Sequence, residues 1–176
     1  MDAFARRQIG NTSLEVTALG FGGASLGDAY EVIPEAQAEG ALEAAFAGGI
    51  GYFDTSPWYG NGKSEHWVGR VLQSRPRAEF MLSTKVGRIY RRPADADGYR
   101  HPRWLGGLPF EPVFDYSRAA VLHAYEQSQM RMGINRFDAL VVHDLDLKHQ
   151  KTEEGGAARL RELDDGGGFD ALQTLR

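Results

Sequence analysis

A parallel α/β sheet is the fold class this sequence predicts. Short apolar runs alternate with stripes at helical spacing, and the runs are apolar on both faces, as strands covered by helices must be. Ile50 to Phe53, Phe80 to Thr84 and Phe137 to Val142 are such runs. Chemistry-bearing side chains follow them closely. About four strand–helix units fit into the 176 residues. Two architectures accommodate that alternation, a doubly wound open sheet and a (β/α)8 barrel. A barrel needs eight units and typically about 250 residues, so the count alone points to an open sheet or to half a barrel.

Taken in order, Arg6 to Ile9, a Gly10-Asn11-Thr12-Ser13 turn and Leu14 to Thr17 read as an N-terminal hairpin. Ala18-Leu19-Gly20-Phe21 continues as a buried strand ending in Gly22-Gly23. Pro34 starts a helix. Ala38, Ala41, Leu42, Ala45 and Phe46 form its apolar stripe, and Gly48-Gly49 ends it. After the strand Ile50 to Phe53, Ser64 is expected as the N-cap of a second helix, with Glu65 favourable in its first turn. Trp67, Val68, Val71 and Leu72 are that helix's stripe, and Pro76 lies beyond its end. The strand Phe80 to Thr84 follows. Val86 to Tyr116 lacks periodicity and is expected as a long loop, functional or disordered. Ser117 caps a third helix whose face carries Val121, Tyr125, Ser128 and Met132, with Gly133 at its end. Phe137 to Val142 is a strand expected to be buried on both sides. Charged Lys148 to Asp165 reads as a solvated loop, and Phe169, Leu172 and Leu175 begin a fourth helix.

Composition removes several functions. With no cysteine, disulfides, thiolate nucleophiles and cysteine-type zinc sites are excluded. A net charge of −4 without a Lys/Arg block argues against a nucleic-acid surface. No apolar run approaches the roughly 18 residues that cross a bilayer, and Met1 to Gly10 lacks the apolar core of a secretory signal. A soluble cytoplasmic protein acting on a small molecule, with no membrane partner, is the expectation.

Four ionisable residues follow the strands closely: Asp54, Tyr59 five residues on, Lys85 and His143. The rim at the C-terminal ends of parallel strands is where α/β sites lie. Singly, each has a plainer reading: a turn-capping Asp, a packing Tyr, a solvated Lys, a core His. Together they make chemical sense. A tyrosine hydroxyl titrates near 10, and a nearby ammonium favours its phenolate. An aspartate holds the lysine charged and in place, and a histidine orients a substrate oxygen. The set composes a general acid for a carbonyl oxygen, with hydride to come from a cofactor.

Phe53-Asp54-Thr55-Ser56-Pro57-Trp58-Tyr59-Gly60 with Ser64-Glu65 resembles the aldo-keto reductase stretch that carries the catalytic Asp and Tyr. Ser83-Thr84-Lys85-Val86-Gly87 resembles that family's Lys strand, Val141-Val142-His143-Asp144 its His strand, and Leu19-Gly20-Phe21-Gly22-Gly23 its first strand and loop. The resemblance implies a (β/α)8 TIM barrel, present here as about four βα units forming one partial barrel domain over residues 1–176. It also implies an NADP or NAD cofactor. The roles implied are Tyr59 as proton donor or acceptor, Lys85 as its partner, Asp54 as the lysine anchor, and His143 as orienter of the substrate. Gly22, Gly23 and Asp54 are implied at the cofactor, the glycines giving room for close backbone approach, and Trp58 and His143 at the substrate. Phe114-Asp115-Tyr116-Ser117 and His143-Asp144-Leu145-Asp146 look most like a subgroup that oxidises sugars or pyridoxal with NAD, the fucose or threo-aldose dehydrogenases and pyridoxal 4-dehydrogenase.

Hence the expected activity is interconversion of an aldehyde, aldose or pyridoxal-like compound with its alcohol or lactone. Two alternatives stand beside it: a non-catalytic NAD(P)-binding regulatory protein on the same fold, and an inactive truncated fragment that binds NAD(P) weakly or not at all. The family's pyrophosphate and adenosine contacts come mainly from its second half, to which nothing here corresponds. Four parallel strands also leave two open edges, which invite association. Gly20-Phe21-Gly22-Gly23-Ala24-Ser25 does not match G-x-G-x-x-G, and no acidic residue follows at a second strand end about 20 residues on. His143-Asp144-x-Asp146 lacks the further strand-end ligands a metal would need, so no metal is expected.

Overall fold

A computed structural model describes residues 2–176. Met1, the first residue of the stretch read for a secretory signal, lies outside them. Strands β1 (Arg6–Gln8) and β2 (Glu15–Thr17) form the expected hairpin, with Arg6 opposite Thr17 and Gln8 opposite Glu15. It plugs the N-terminal end of the sheet, where the Thr17 hydroxyl accepts from Gly51 N at 3.1 Å.

Strand β3 is only Phe21–Gly22, shorter than the buried strand expected from Ala18 onward. Ala18 N and Leu19 N instead donate to Ala5 O and Ala3 O at 3.0 and 2.9 Å, so that stretch is bound to the N-terminal segment, and Leu19 is 50% exposed. A 3-10 turn over Gly23–Gly27 leads towards helix α1 (Glu35–Ala47), which buries Ala38 and Leu42 and leaves Ala41 exposed. Strand β4 (Tyr52–Asp54) and helix α2 (Lys63–Leu72) follow. Ser64 is not the cap of α2. Gly62 holds that position, while Ser64 is fully buried and its hydroxyl donates to Gly23 O at 2.7 Å, tying the helix to the end of β3.

Strand β5 (Met81–Val86) is buried along its whole length. The segment expected as a long loop contains two strands, β6 (Arg88–Arg91) and β7 (Glu111–Phe114), which pair antiparallel with Arg88 opposite Phe114. Helix α3 (Arg118–Met132) begins at Ser117, whose hydroxyl accepts from Ala120 N, and ends at left-handed Gly133. Strand β8 (Ala139–Val142) completes a parallel sheet of order β3-β4-β5-β8. Burial of this last strand on both sides does not hold: it is half-buried and Val141 is 43% exposed, because β8 is an edge with no further strand beside it among the described residues.

The expected solvated loop from Lys148 to Asp165 is mostly helical, as α4 (Leu147–Gln150) and α5 (Glu153–Leu163). Asp146 and Thr152 cap them by accepting from His149 N and Gly155 N. Leu163 at the end of α5 is buried, which gives this charged helix its hold on the fold. Helix α6 (Gly168–Thr174) packs against α3. The main core joins Leu42 of α1, Val68 and Leu72 of α2 and Met132 of α3 to Phe53 and Leu82 on the sheet, and a smaller one joins Val86, Val121, Ala124 and Ala171. Among the described residues no helix is long and apolar enough to cross a membrane.

Candidate active site

Parallel pairing puts Asp54 opposite Ser83 and Lys85 opposite Val141, so the ends of β4, β5 and β8 form one rim. Asp54 ends β4 and Lys85 is the last-but-one residue of β5, pointing its ammonium at the neighbouring strand. Lys85 Nζ donates to Asp54 Oδ2 at 2.7 Å and to Thr55 O at 2.8 Å, while Asp54 Oδ1 accepts from Ser83 Oγ at 2.6 Å. The lysine is 9% exposed. A charge that far from water needs such partners. They occupy two of its three N–H donors.

Tyr59 lies on the turn between β4 and α2. The turn is set by Ser56: its carbonyl accepts from Tyr59 N at 3.1 Å and its hydroxyl from Trp58 N at 3.0 Å. The half-buried tyrosine ring lies 5.1 Å from Lys85 Nζ and meets the His143 ring edge-on at 6.0 Å. Asp54, Lys85, Tyr59 and His143 are therefore contiguous, in that order.

His143 follows β8 directly. Its Nδ1 faces Ser56 Oγ at 3.0 Å and Arg88 Nη1 at 3.2 Å. A guanidinium only donates, so Nδ1 is the acceptor and the ring proton sits on Nε2. Burial pushes the His143 pKa down from 6.5 to about 4; Arg88 and Lys85 push the same way, while Asp144 and Asp54 oppose them. The imidazole is neutral at pH 7. Since the folded pKa is depressed, the stability contributed is fully present above pH 6.5 and is lost as pH falls toward 4. That contribution amounts to roughly 3 kcal/mol at most. Burial also lowers the His66 and His101 pKa values, so the clean measurement is the difference from His143→Gln. Urea unfolding from pH 7 to 4.5 is expected to show a shallower loss in that variant. Parallel curves would contradict the buried neutral histidine.

Arg88 is the charged residue the sequence reading passed over. It is 4% exposed, donates to Asp144 Oδ2 at 2.5 Å, and lies over the Trp58 and Phe114 rings at 4.5 and 4.2 Å. Gly87, at φ +110° with Tyr116 packed where a Cβ would be, makes the turn from β5 into β6 that buries it. Ser56 and Asp144 were also missed. Both adjoin or belong to the quoted motifs, and their polarity beside His143 was a usable signal. Nothing in local spacing marks Arg88.

The segment between β6 and β7 roofs the site, held by Leu105 N to Asp28 O at 3.0 Å and Leu108 N to Gly60 O at 2.9 Å. It brings Trp104 edge-on to Trp58 and Tyr59 at 5.4 and 6.2 Å, and His101 edge-on to Trp58 at 4.8 Å. Beneath it is a cleft of about 340 Å³ bordered by Gly22, Ala24, Ser25, Trp58, Tyr59 and Trp104. Open space surrounds the position of a Cβ at Gly22, so a ligand can approach its backbone. The room at Gly23 is used by the protein itself, since a Cβ there would lie 2.7 Å from Ser64 Oγ and 3.1 Å from Asp54 O. Small residues, Gly22, Ala24 and Ser25, line the cleft beside Tyr59. Asp144, Asp146 and His149 also bring ligand-type atoms within 4.8 Å, but Asp144 is engaged by Arg88 and Asp146 caps α4.

Residues 18–172 match the profile of the Aldo/keto reductase family. The chain is 39% identical to pyridoxal 4-dehydrogenase of Microbacterium luteolum, an alignment covering 100% of this chain and 53% of that protein. It is 38% identical to D-threo-aldose 1-dehydrogenase of a Pseudomonas species over 74% of this chain and 41% of that one. Among solved structures, the holo form of aldo-keto reductase AKR11C1 from Bacillus halodurans superposes with a TM-score of 0.64 at 27% identity. That match covers 94% of this chain and 48% of that one. The chain thus spans about half the length of these relatives.

Proposed function

The chain belongs to the aldo/keto reductase family, and on that premise we propose that its protein is a nicotinamide-dependent oxidoreductase that interconverts an aldose or pyridoxal-like aldehyde with its lactone or alcohol. The observation that carries the proposal is the contiguous set Asp54–Lys85–Tyr59–His143 beside a cleft walled by Gly22 and Trp58. Residues 1–176 are read as one partial barrel.

Tyr59 gives its phenolic proton to the carbonyl oxygen in reduction and takes it back in oxidation. The Lys85 ammonium stabilises the phenolate formed when the proton leaves, and Asp54 keeps that ammonium charged and aimed. His143, neutral with its proton on Nε2, donates a hydrogen bond to the same substrate oxygen and holds it near Tyr59. Gly22, on the wall of the cleft, leaves its backbone open to the nicotinamide end of NADP or NAD, whereas Gly23 packs against Ser64 and the Asp54 carboxylate is taken by Ser83 and Lys85. When bound, that cofactor supplies or accepts hydride at the substrate carbon. Trp58 and Trp104 present ring edges and faces suited to the flat side of a sugar or pyridine ring. Names of the relatives supply the substrate classes, which are carried over to this chain as part of the proposal.

The test is turnover by the protein carrying this sequence at its full length, followed by nicotinamide absorbance with NAD and with NADP, against aldoses, simple aldehydes and pyridoxal. Oxidation of an aldose or of pyridoxal is expected. No turnover of any of them would overturn the proposal in favour of a non-catalytic NAD(P)-binding role.

A further inference from the structure

We infer that Arg88 is a positioning residue that locks His143 in the tautomer carrying its proton on Nε2, the form able to donate a hydrogen bond to a substrate oxygen from that nitrogen. The inference builds on the proton-transfer reading of Tyr59 and His143 proposed above.

Three observations carry it. First, Arg88 Nη1 sits 3.2 Å from His143 Nδ1, and a guanidinium has donors only. Were the proton on Nδ1, two N–H groups would confront each other; protonating both nitrogens would create the same conflict and add a second positive charge. Second, the second neighbour of Nδ1 agrees. The Ser56 hydroxyl already accepts from Trp58 N, which leaves its own hydrogen for Nδ1 at 3.0 Å. Third, Arg88 cannot swing away. Asp144 takes its other terminal nitrogen at 2.5 Å, the Trp58 and Phe114 rings lie against it, and it is 4% exposed. A planar cation packed against two rings and tied to one carboxylate is a rigid reference for the imidazole, in the way second partners fix metal-bound histidines.

The charged and titratable groups around His143 are Asp54 on β4, Lys85 on β5, Arg88 on β6, Asp144 beyond β8 with His149 beside it, the Tyr59 ring, and Tyr116, whose hydroxyl donates to His143 O. Arg88 and Lys85 disfavour the imidazolium, and Asp144 and Asp54 favour it. Removing Arg88 therefore moves His143 protonation to higher pH and frees Nδ1 to carry the proton.

The decisive experiment is ¹⁵N NMR of the imidazole in the full-length protein, paired with steady-state kinetics. In the wild type, His143 is expected to show an unprotonated Nδ1 and a protonated Nε2 at pH 7. Arg88→Met is expected to mix the two tautomers and to move the acidic limb of the kcat/KM profile to higher pH. It should also cut kcat by about 10- to 100-fold, at or below the ~10²–10⁴ of a full acid–base contribution. KM should move less than kcat. Arg88→Gln, which offers both a donor and an acceptor, carries the same test if the Met variant fails to fold. A wild-type proton on Nδ1 would overturn the inference, and so would an unchanged tautomer in a folded variant, whatever its rate. If the wild type turns over no substrate, the proposed function fails, but the tautomer measurement still decides the role of Arg88.

Discussion

Tyr59→Phe is expected to lower kcat for carbonyl reduction by about 10²- to 10⁴-fold, the range typical of a lost general acid. KM should change far less, because the phenylalanine ring keeps the contacts of the tyrosine with Lys85, His143 and Trp104. Stability should change by less than about 0.5 kcal/mol, since the half-buried side chain keeps its ring contacts and no hydrogen bond of the Tyr59 hydroxyl is seen among the described residues. That separation of rate from stability distinguishes a proton donor from a packing residue. Lys85→Met is expected to lower kcat in the same range, with an added loss of stability. It strips the Asp54 carboxylate of its cation and leaves Thr55 O without that donor. Because the two residues act as a unit, the double variant should be little worse in kcat than the worse single one. Steady-state kinetics of the three variants checks this. A Tyr59→Phe protein within about threefold of the wild-type rate would remove Tyr59 from the chemistry.

The largest stability effect is expected from Glu65→Leu, at about 3–5 kcal/mol. Glu65 is fully buried on α2 and joins three elements: its Oε1 accepts from Thr84 Oγ1 on β5 at 2.6 Å, and its Oε2 from Arg131 Nε on α3 at 2.5 Å. Taking it away leaves the Arg131 side chain, 13% exposed, with Ser128 Oγ at 3.1 Å and the face of Tyr90, but no carboxylate. Breaking one side of a buried pair costs more than the pair contributes, because the remaining charge stays desolvated. The double variant Glu65→Leu/Arg131→Met should recover much of the loss for that reason. Magnitude decides between two views of the residue. As a mere acidic group in a helix's first turn it would contribute only about 0.3–1 kcal/mol. Urea unfolding of the single and double variants makes the comparison, and a single-variant loss below about 1 kcal/mol would return Glu65 to that minor role.

The elements that were legible rest on local signals. The hairpin shows in its turn residues, α3 in the Ser117 cap and the Gly133 stop, and β5 in an unbroken apolar run. Those that were not legible rest on distant partners. β6 and β7 carry no period of their own, and Arg88 becomes a strand residue only because Phe114 arrives opposite it. Ser64 has the chemistry of a cap but spends its hydroxyl on Gly23 O and Thr55 Oγ1, across the sheet. Helix α5 holds two glycines, Gly155 and Gly156, each costing about 1 kcal/mol of helix propensity, and forms through the Thr152 cap and the burial of Leu163. The run from Phe137 has the apolarity of a doubly buried strand, but apolarity says nothing about whether a neighbour stands beside it, and β8 is an edge.

The sequence by itself determined the order of the strands and the spacing of polar residues after them. From this it could be read that Asp54, Tyr59, Lys85 and His143 share one rim, because a parallel sheet delivers every strand end to the same side. Only the tertiary structure decided their electrical states. The Lys85 ammonium has two acceptors and a tyrosine ring beside it, and the His143 proton is on Nε2 because Arg88 and Ser56 occupy Nδ1. Hydrogen-bond polarity and burial belong to pairs of residues far apart in the chain. Spacing along one strand cannot specify which donor will face which acceptor until the chain has folded.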